Sequence, residues 1–148
     1  MEKVWLSSYP VGTPADINPD VYTSMAELFL DACHHFAGNI AYEQLGRKVC
    51  FGELHTLARN FAAFCQQTLG LRKGDSIGLM LPNVLQYPVA LFGAWLAGLT
   101  VININPLATS EEVIKQLQPT DIQCILVLEN FAYKVVDIKK QFLLRTYW

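Results

Sequence analysis

The stretch "SIGLMLPNVLQYPVALFGAWLAGLTVININPLATS", Ser76 to Ser110, contains no Asp, Glu, Lys or Arg. An uncharged run of this length is a membrane span or the buried centre of a domain. A span needs about 18 to 20 unbroken apolar residues. The longest candidate, Pro88 to Ile102, is bounded by Gln86 and Asn103 and falls short of that length. Pro82-Asn83 and Gly98 cut the run into pieces instead. "SIGLML" (76–81) reads as a fully apolar strand. Residues 84–97 read as a helix that is apolar all round, with Pro88 near its first turn, where proline is tolerated. Gly98 is placed to end that helix, and "TVINI" (100–104) is a β-branched strand. Strand, helix and strand in this order predict a parallel pair with a right-handed crossover.

The flanking sequence extends the pattern. Thr109 to Glu112 has the form of a capping box opening the helix "SEEVIKQL". "QCILVL" (123–128) is another buried strand, and a helix is expected over about 130–143. Upstream, Ser24 to Glu27 is a second capping box, opening a helix over 24–37. Strands 40–45 and 48–51 around Gly46 have the signature of a β-hairpin. "GELHTLARNFAAFCQQTLG" carries a wide apolar face at helical spacing and stops at Gly70. The fold class is therefore α/β: an incomplete doubly wound, mostly parallel sheet (strands near 76–81, 100–104 and 123–128) with an N-terminal β-hairpin (40–51) and flanking helices. Residues 1–20, with Pro10, Pro14 and Pro19, read as an extended arm. Residues 21–148 read as one partial subdomain.

Composition narrows the function. Hydrophobic residues make up 52% and charged residues 16% of the 148, with a net charge of −2. There is no basic stripe for nucleic acid. No apolar stretch follows a basic start at the N-terminus, so a cytoplasmic location is expected. Cys33, Cys50, Cys65 and Cys124 are too scattered for a metal site or a disulfide scaffold and read as reduced thiols.

Side chains able to do chemistry are few. His34 and His35, as helical neighbours, point to different faces and cannot chelate one metal together. His55 reads as a surface residue beside Glu53, and Glu111 and Glu112 as acids satisfying a helix N-terminus. Cys50 and Cys65 lack a basic partner to activate them. The turn "PNVLQ" after the first parallel strand has neither GxGxxG nor GxxxxGK[ST], so its backbone is a poor phosphate cradle. No catalytic, cofactor-binding or metal-binding residue can be named from these patterns.

Taken together, "LGLRKGDSIGLMLPNVLQYPVALFGAWLAGLTVININPL" resembles the AMP-forming acyl-CoA synthetases. It is most similar to the N-terminal portion of bacterial long-chain fatty acid–CoA ligases. Lys73-Gly74-Asp75, Pro82-Asn83, Gln86-Tyr87-Pro88, Ala97-Gly98, Asn103 and Asn105-Pro106-Leu107 appear in the family's order. The arm "KVWLSSYPVGTPADINPD" and "NFAY" (130–133) fit as well, so the likeness runs from residue 3 to about 137. Ala108 stands where the family usually has Tyr, Ser110 where it has Pro, Ser76 where it often has Arg, and Cys50 where a Thr would cap the next helix.

The resemblance implies a parent enzyme that joins a fatty acid to CoA at the expense of ATP, with Mg2+, through an acyl-adenylate and release of pyrophosphate. It also leaves room for peripheral contact with the inner face of the cell membrane. In the family the phosphate loop, the nucleotide-binding motifs and the lysine-bearing lid all lie downstream of the motifs seen here. The resemblance therefore implies a truncated fragment, cut before the phosphate loop and inactive alone. Two other readings stay open: a stand-alone interaction or lipid-surface module, and a small nucleotide-binding domain with its site at loops 82–87 and 104–110.

Overall fold

A computed structural model describes residues 3–142 and 144. In chain order its regular elements are α1 (Met25–His35), β1 (Ile40–Gln44), β2 (Arg47–Cys50), α2 (Phe51–Gln67), β3 (Ser76–Met80), α3 (Gln86–Leu96), β4 (Thr100–Asn103), α4 (Ser110–Leu117), β5 (Ile122–Val127) and α5 (Ala132–Lys139). Among the described residues the expected arm holds two short 3-10 turns, Val4–Ser8 and Pro19–Val21, and no α-helix.

The uncharged stretch folds as β3, α3 and β4. β3 is the middle strand of a three-stranded sheet of order β4-β3-β5, parallel to both neighbours. Its side chains alternate between two cores, as the two-residue period of a strand requires. Ile77 and Leu79 pack with Ala62, Cys65, Ala90 and Ala94 of α2 and α3. Met80 packs on the other face with Val113 and Leu117 of α4 and Ile138 of α5. Helices cover both faces, which is why β3 carries no charge. A third cluster, Phe29, Cys33, Val49, Leu54 and Ala58, ties α1 and the hairpin to α2.

Local signals account for the element ends. α3 closes as a Schellman motif: Leu99 N–H donates to Ala94 O at 2.9 Å and Gly98 N–H to Trp95 O at 3.0 Å. Gly98 takes the required left-handed conformation at φ 77, which a side chain resists. At α4 both halves of the capping box form between Thr109 and Glu112. At α1 only half does. Ser24 Oγ accepts from Glu27 N–H, but the Glu27 carboxylate reaches one residue further back, to the N–H and hydroxyl of Thr23, both at 2.7 Å.

The hairpin turns on Leu45 and Gly46, both at positive φ (50 and 81). Two consecutive left-handed residues make a type I′ turn, whose twist suits a two-residue hairpin. The C-terminal helix is shorter than expected. Glu129–Phe131 is a 3-10 turn, and α5 ends at Lys139. Residue 143, the far end of the expected helix, and Tyr147-Trp148 lie outside the described residues.

Candidate functional site

Ligands in open parallel sheets bind beyond the carboxyl ends of the strands, where neighbouring connections leave on opposite faces. Here α3 follows β3 on one face and α5 follows β5 on the other. The switch point thus lies between β3 and β5, flanked by loop 81–85 and residues 128–131. The 82–87 loop is where the sequence places it. Loop 104–110 leaves β4 for α4 on the face opposite α3 and flanks β3 from its other side. At the switch point itself, Leu128 N–H donates to Met80 O at 3.3 Å, and Leu128 packs into the core.

Side chains distant in sequence hold these loops. The Gln44 carboxamide bridges loop 82–85: its Nε2 donates to Asn83 O and its Oε1 accepts from Leu85 N–H, both at 3.0 Å. Tyr87 Oη donates to Asn103 Oδ1 at 2.9 Å, joining the start of α3 to the end of β4. Gln116 Nε2 donates to Asn103 O at 2.9 Å. Lys134 is only 8% exposed. Its ammonium group donates to Pro106 O at 2.7 Å and Ala108 O at 2.6 Å, pinning loop 104–110 to α5. The same nitrogen lies 5.8 Å from the Phe131 ring centre and 5.9 Å from that of Tyr133. Neither Gln44 nor Lys134 carries a local sequence signal, because their partners stand 39 and 28 residues away.

These groups bond to loop backbone and to one another, and so position the loops. Among the described residues no three His, Cys, Asp or Glu side chains gather as metal ligands. The His34 and His35 rings meet edge-on, 5.4 Å apart, and His35 Nδ1 pairs with Asp31 at 3.1 Å. Glu53 pairs with Arg47 rather than with its helical neighbour His55, and His55 stands edge-on to Phe29 at 6.3 Å. Glu111 pairs with Lys115 at 3.0 Å. Burial, with Cys124 adding to it, pushes the Cys65 thiol up to about 12. Cys33 and Cys124 are raised by burial as well. A thiol so protonated is a poor nucleophile. No helix of the described residues is long and apolar enough to cross a membrane.

The fold and its loops define a class. Residues 29–145 match the family described as AMP-binding enzyme, and the chain belongs to that family. It is 48% identical over 140 residues to the long-chain-fatty-acid–CoA ligase of Salmonella typhimurium, covering 93% of this chain and 25% of the relative. With the corresponding ligase of Haemophilus influenzae the identity is 40% over 132 residues, or 89% and 24% of the two chains. The chain thus spans about a quarter of the length of the curated relatives it matches. Among solved structures, a benzoate CoA ligase from Burkholderia xenovorans LB400 superposes with a TM-score of 0.73 at 24% identity, over 81% of this chain and 24% of that one. The luciferase-like enzyme of the mealworm Zophobas morio gives a TM-score of 0.77 at 19% identity, over 88% and 32%. At such identities these two show the shared fold alone.

Proposed function

We propose that this chain is the N-terminal scaffold of a long-chain fatty acid–CoA ligase. The whole protein would convert a fatty acid, ATP and CoA to acyl-CoA, AMP and pyrophosphate, with Mg2+ on the nucleotide, in the cytoplasm. The observation that carries the proposal is the 48% identity to such a ligase over nearly the whole chain. The scaffold role rests on the site. Gln44, Tyr87, Asn103 and Lys134 hydrogen-bond to the chain's own loops, which favours positioning of those loops over stabilising charge on a reacting phosphate.

The chain alone is expected to catalyse no fatty-acid-dependent exchange between ATP and pyrophosphate. Exchange above background from the pure chain would refute the scaffold role. A second reading, a stand-alone interaction or lipid-surface module, draws on exposed apolar side chains such as Leu30, Phe36, Leu57 and Phe64. A larger enzyme's buried interface would present the same side chains. Flotation of the pure chain with anionic vesicles tests membrane contact: co-flotation supports the module, and its absence removes that reading's lipid ligand.

A further inference from the structure

We propose that Gln44 is a positioning residue for the ligase reaction: from the hairpin, its carboxamide holds loop 82–85 and the start of α3 in place at the carboxyl end of β3. This rests on the reading of the chain as part of a long-chain fatty acid–CoA ligase.

The start of α3 needs an outside partner. The first amides of a helix have no acceptor within it, and a Ser, Thr, Asp or Asn at the N-cap usually supplies one. Here the N-cap is Leu85, whose side chain supplies none. Tyr87 N–H donates to Val84 O at 2.9 Å, and Pro88 has no N–H. Leu85 N–H is taken by Gln44 Oε1 at 3.0 Å, from 41 residues earlier. The other end of the same carboxamide donates to Asn83 O at 3.0 Å. Both bonds fall on main-chain atoms, so they fix the path of the loop itself.

Little else sets the hairpin against this loop. β1 and β2 form a sheet of their own, so among the described residues no ladder joins the hairpin to β3. Tyr42, Val84, Tyr87 and Pro88 line a cleft of about 240 Å³ between hairpin and loop, so close packing does not set their spacing there. The helix start is tied onward by Tyr87 Oη to Asn103 Oδ1 and by Gln116 Nε2 to Asn103 O, both at 2.9 Å. One line of bonds thus runs from β1 through loop 82–85 and α3 to β4 and α4. It crosses the carboxyl end of the sheet beside the switch point between β3 and β5, where ligands of open parallel sheets bind. Gln44 acts through the loop and touches no substrate. A reacting group misplaced by about 1 Å can lose about a hundredfold in rate. The Tyr87–Asn103 bond survives the loss of Gln44, so a smaller effect of about tenfold is expected.

The test uses Gln44→Met, which keeps the side chain's length and removes both polar ends. In the isolated chain, hydrogen exchange at the Leu85 amide should speed up about tenfold. Kinetics are read in a chimera in which this chain replaces the matched 140 residues of the Salmonella typhimurium ligase, well below its melting temperature. There kcat should fall about tenfold, while the KM values for fatty acid, ATP and CoA stay within about twofold. Gln44→Glu keeps the shape and the acceptor for Leu85 N–H and loses only the donor to Asn83 O, so kcat should fall less. Cys33→Ala, in the core cluster of α1 and outside this line of bonds, is the control for lost stability. It should lower the Tm of the chimera and leave kcat unchanged.

Leu85 exchange unaltered by Gln44→Met would overturn the bond on which the proposal stands. An unchanged kcat in Gln44→Met, or a fall that Cys33→Ala reproduces, would overturn the positioning role while the active parent chimera upholds the ligase reading. A folded chimera that has Gln44 intact and no turnover removes the ligase reading and this role with it.

Discussion

Lys134 offers the sharpest test of how the loops beyond the sheet are held. Lys134→Met keeps most of the side chain's length and apolar stem but deletes the ammonium group. Two bonds disappear, to Pro106 O at 2.7 Å and Ala108 O at 2.6 Å. A hydrogen bond to a charged group contributes about 1.5–3 kcal/mol. The two are not simply summed. Both carbonyls belong to half-buried residues that water can partly reach, and the variant no longer buries a charge. The net loss expected is about 2 kcal/mol, or a fall of about 5 °C in Tm for a chain of this size. Urea titration should show a lower midpoint at unchanged slope. Lys140→Met is the control. It breaks an exposed pair with Asp137 at 2.8 Å and should cost less than about 0.5 kcal/mol. Equal midpoints for the two variants would refute the view that Lys134 pins loop 104–110 to α5.

Four further outcomes follow from local geometry. Leu45→Asn should stabilise the chain by about 0.5–1 kcal/mol, because Leu45 is fully exposed at φ 50 and Asn tolerates that conformation; a lower urea midpoint would contradict the type I′ assignment. Cys50→Thr should gain about 0.5–1 kcal/mol by replacing a weak thiol cap, Glu53 N–H to Sγ at 3.4 Å, with a hydroxyl; the thermal melt reads it. Gly93→Ala should destabilise by about 2–3 kcal/mol, because a Cβ there would lie 2.6 Å from the Ala58 carbonyl oxygen of α2 and two packed helices must separate. Glu112 is held below the usual carboxylate range by the Thr109 N–H first and its hydroxyl second. Its folded value lies below its unfolded one, so its contribution is present above the ordinary carboxylate range and is lost as pH falls from there through the lowered folded value. Glu112→Gln should flatten that part of the acid limb in melts from neutral pH downward, and an unchanged slope would refute the link.

Local signals in the chain were readable because their partners stand close in sequence. Thr109 and Glu112 form their box, and Gly98 ends α3 where the apolar run requires it. The Ser24 box was read only in part, since Thr23 competes for the Glu27 carboxylate from the adjacent residue. Leu45 gave no turn signal of its own. The turn forces it left-handed, and the pairing of Gln44 with Arg47 fixes it there. Strand order was not legible. Nothing in the apolar sequences of β4 and β5 says which side of β3 each takes. Lys134 carries no local signal, because a buried lysine is rare and its partners are carbonyls, which any residue carries. The likeness to a ligase family was readable from ordered short motifs, and those motifs lie on β3, α3, β4 and the loops beside them.

The central claim is that these residues are interchangeable with the matched quarter of a long-chain fatty acid–CoA ligase and do no chemistry alone. The most direct measurement is fatty-acid-dependent acyl-CoA formation, with AMP released, by a chimera in which this chain replaces the matched 140 residues of the Salmonella typhimurium ligase and by the isolated chain under the same conditions. The account predicts turnover by the chimera and none by the chain. A folded chimera without turnover, or turnover by the chain itself, would contradict it.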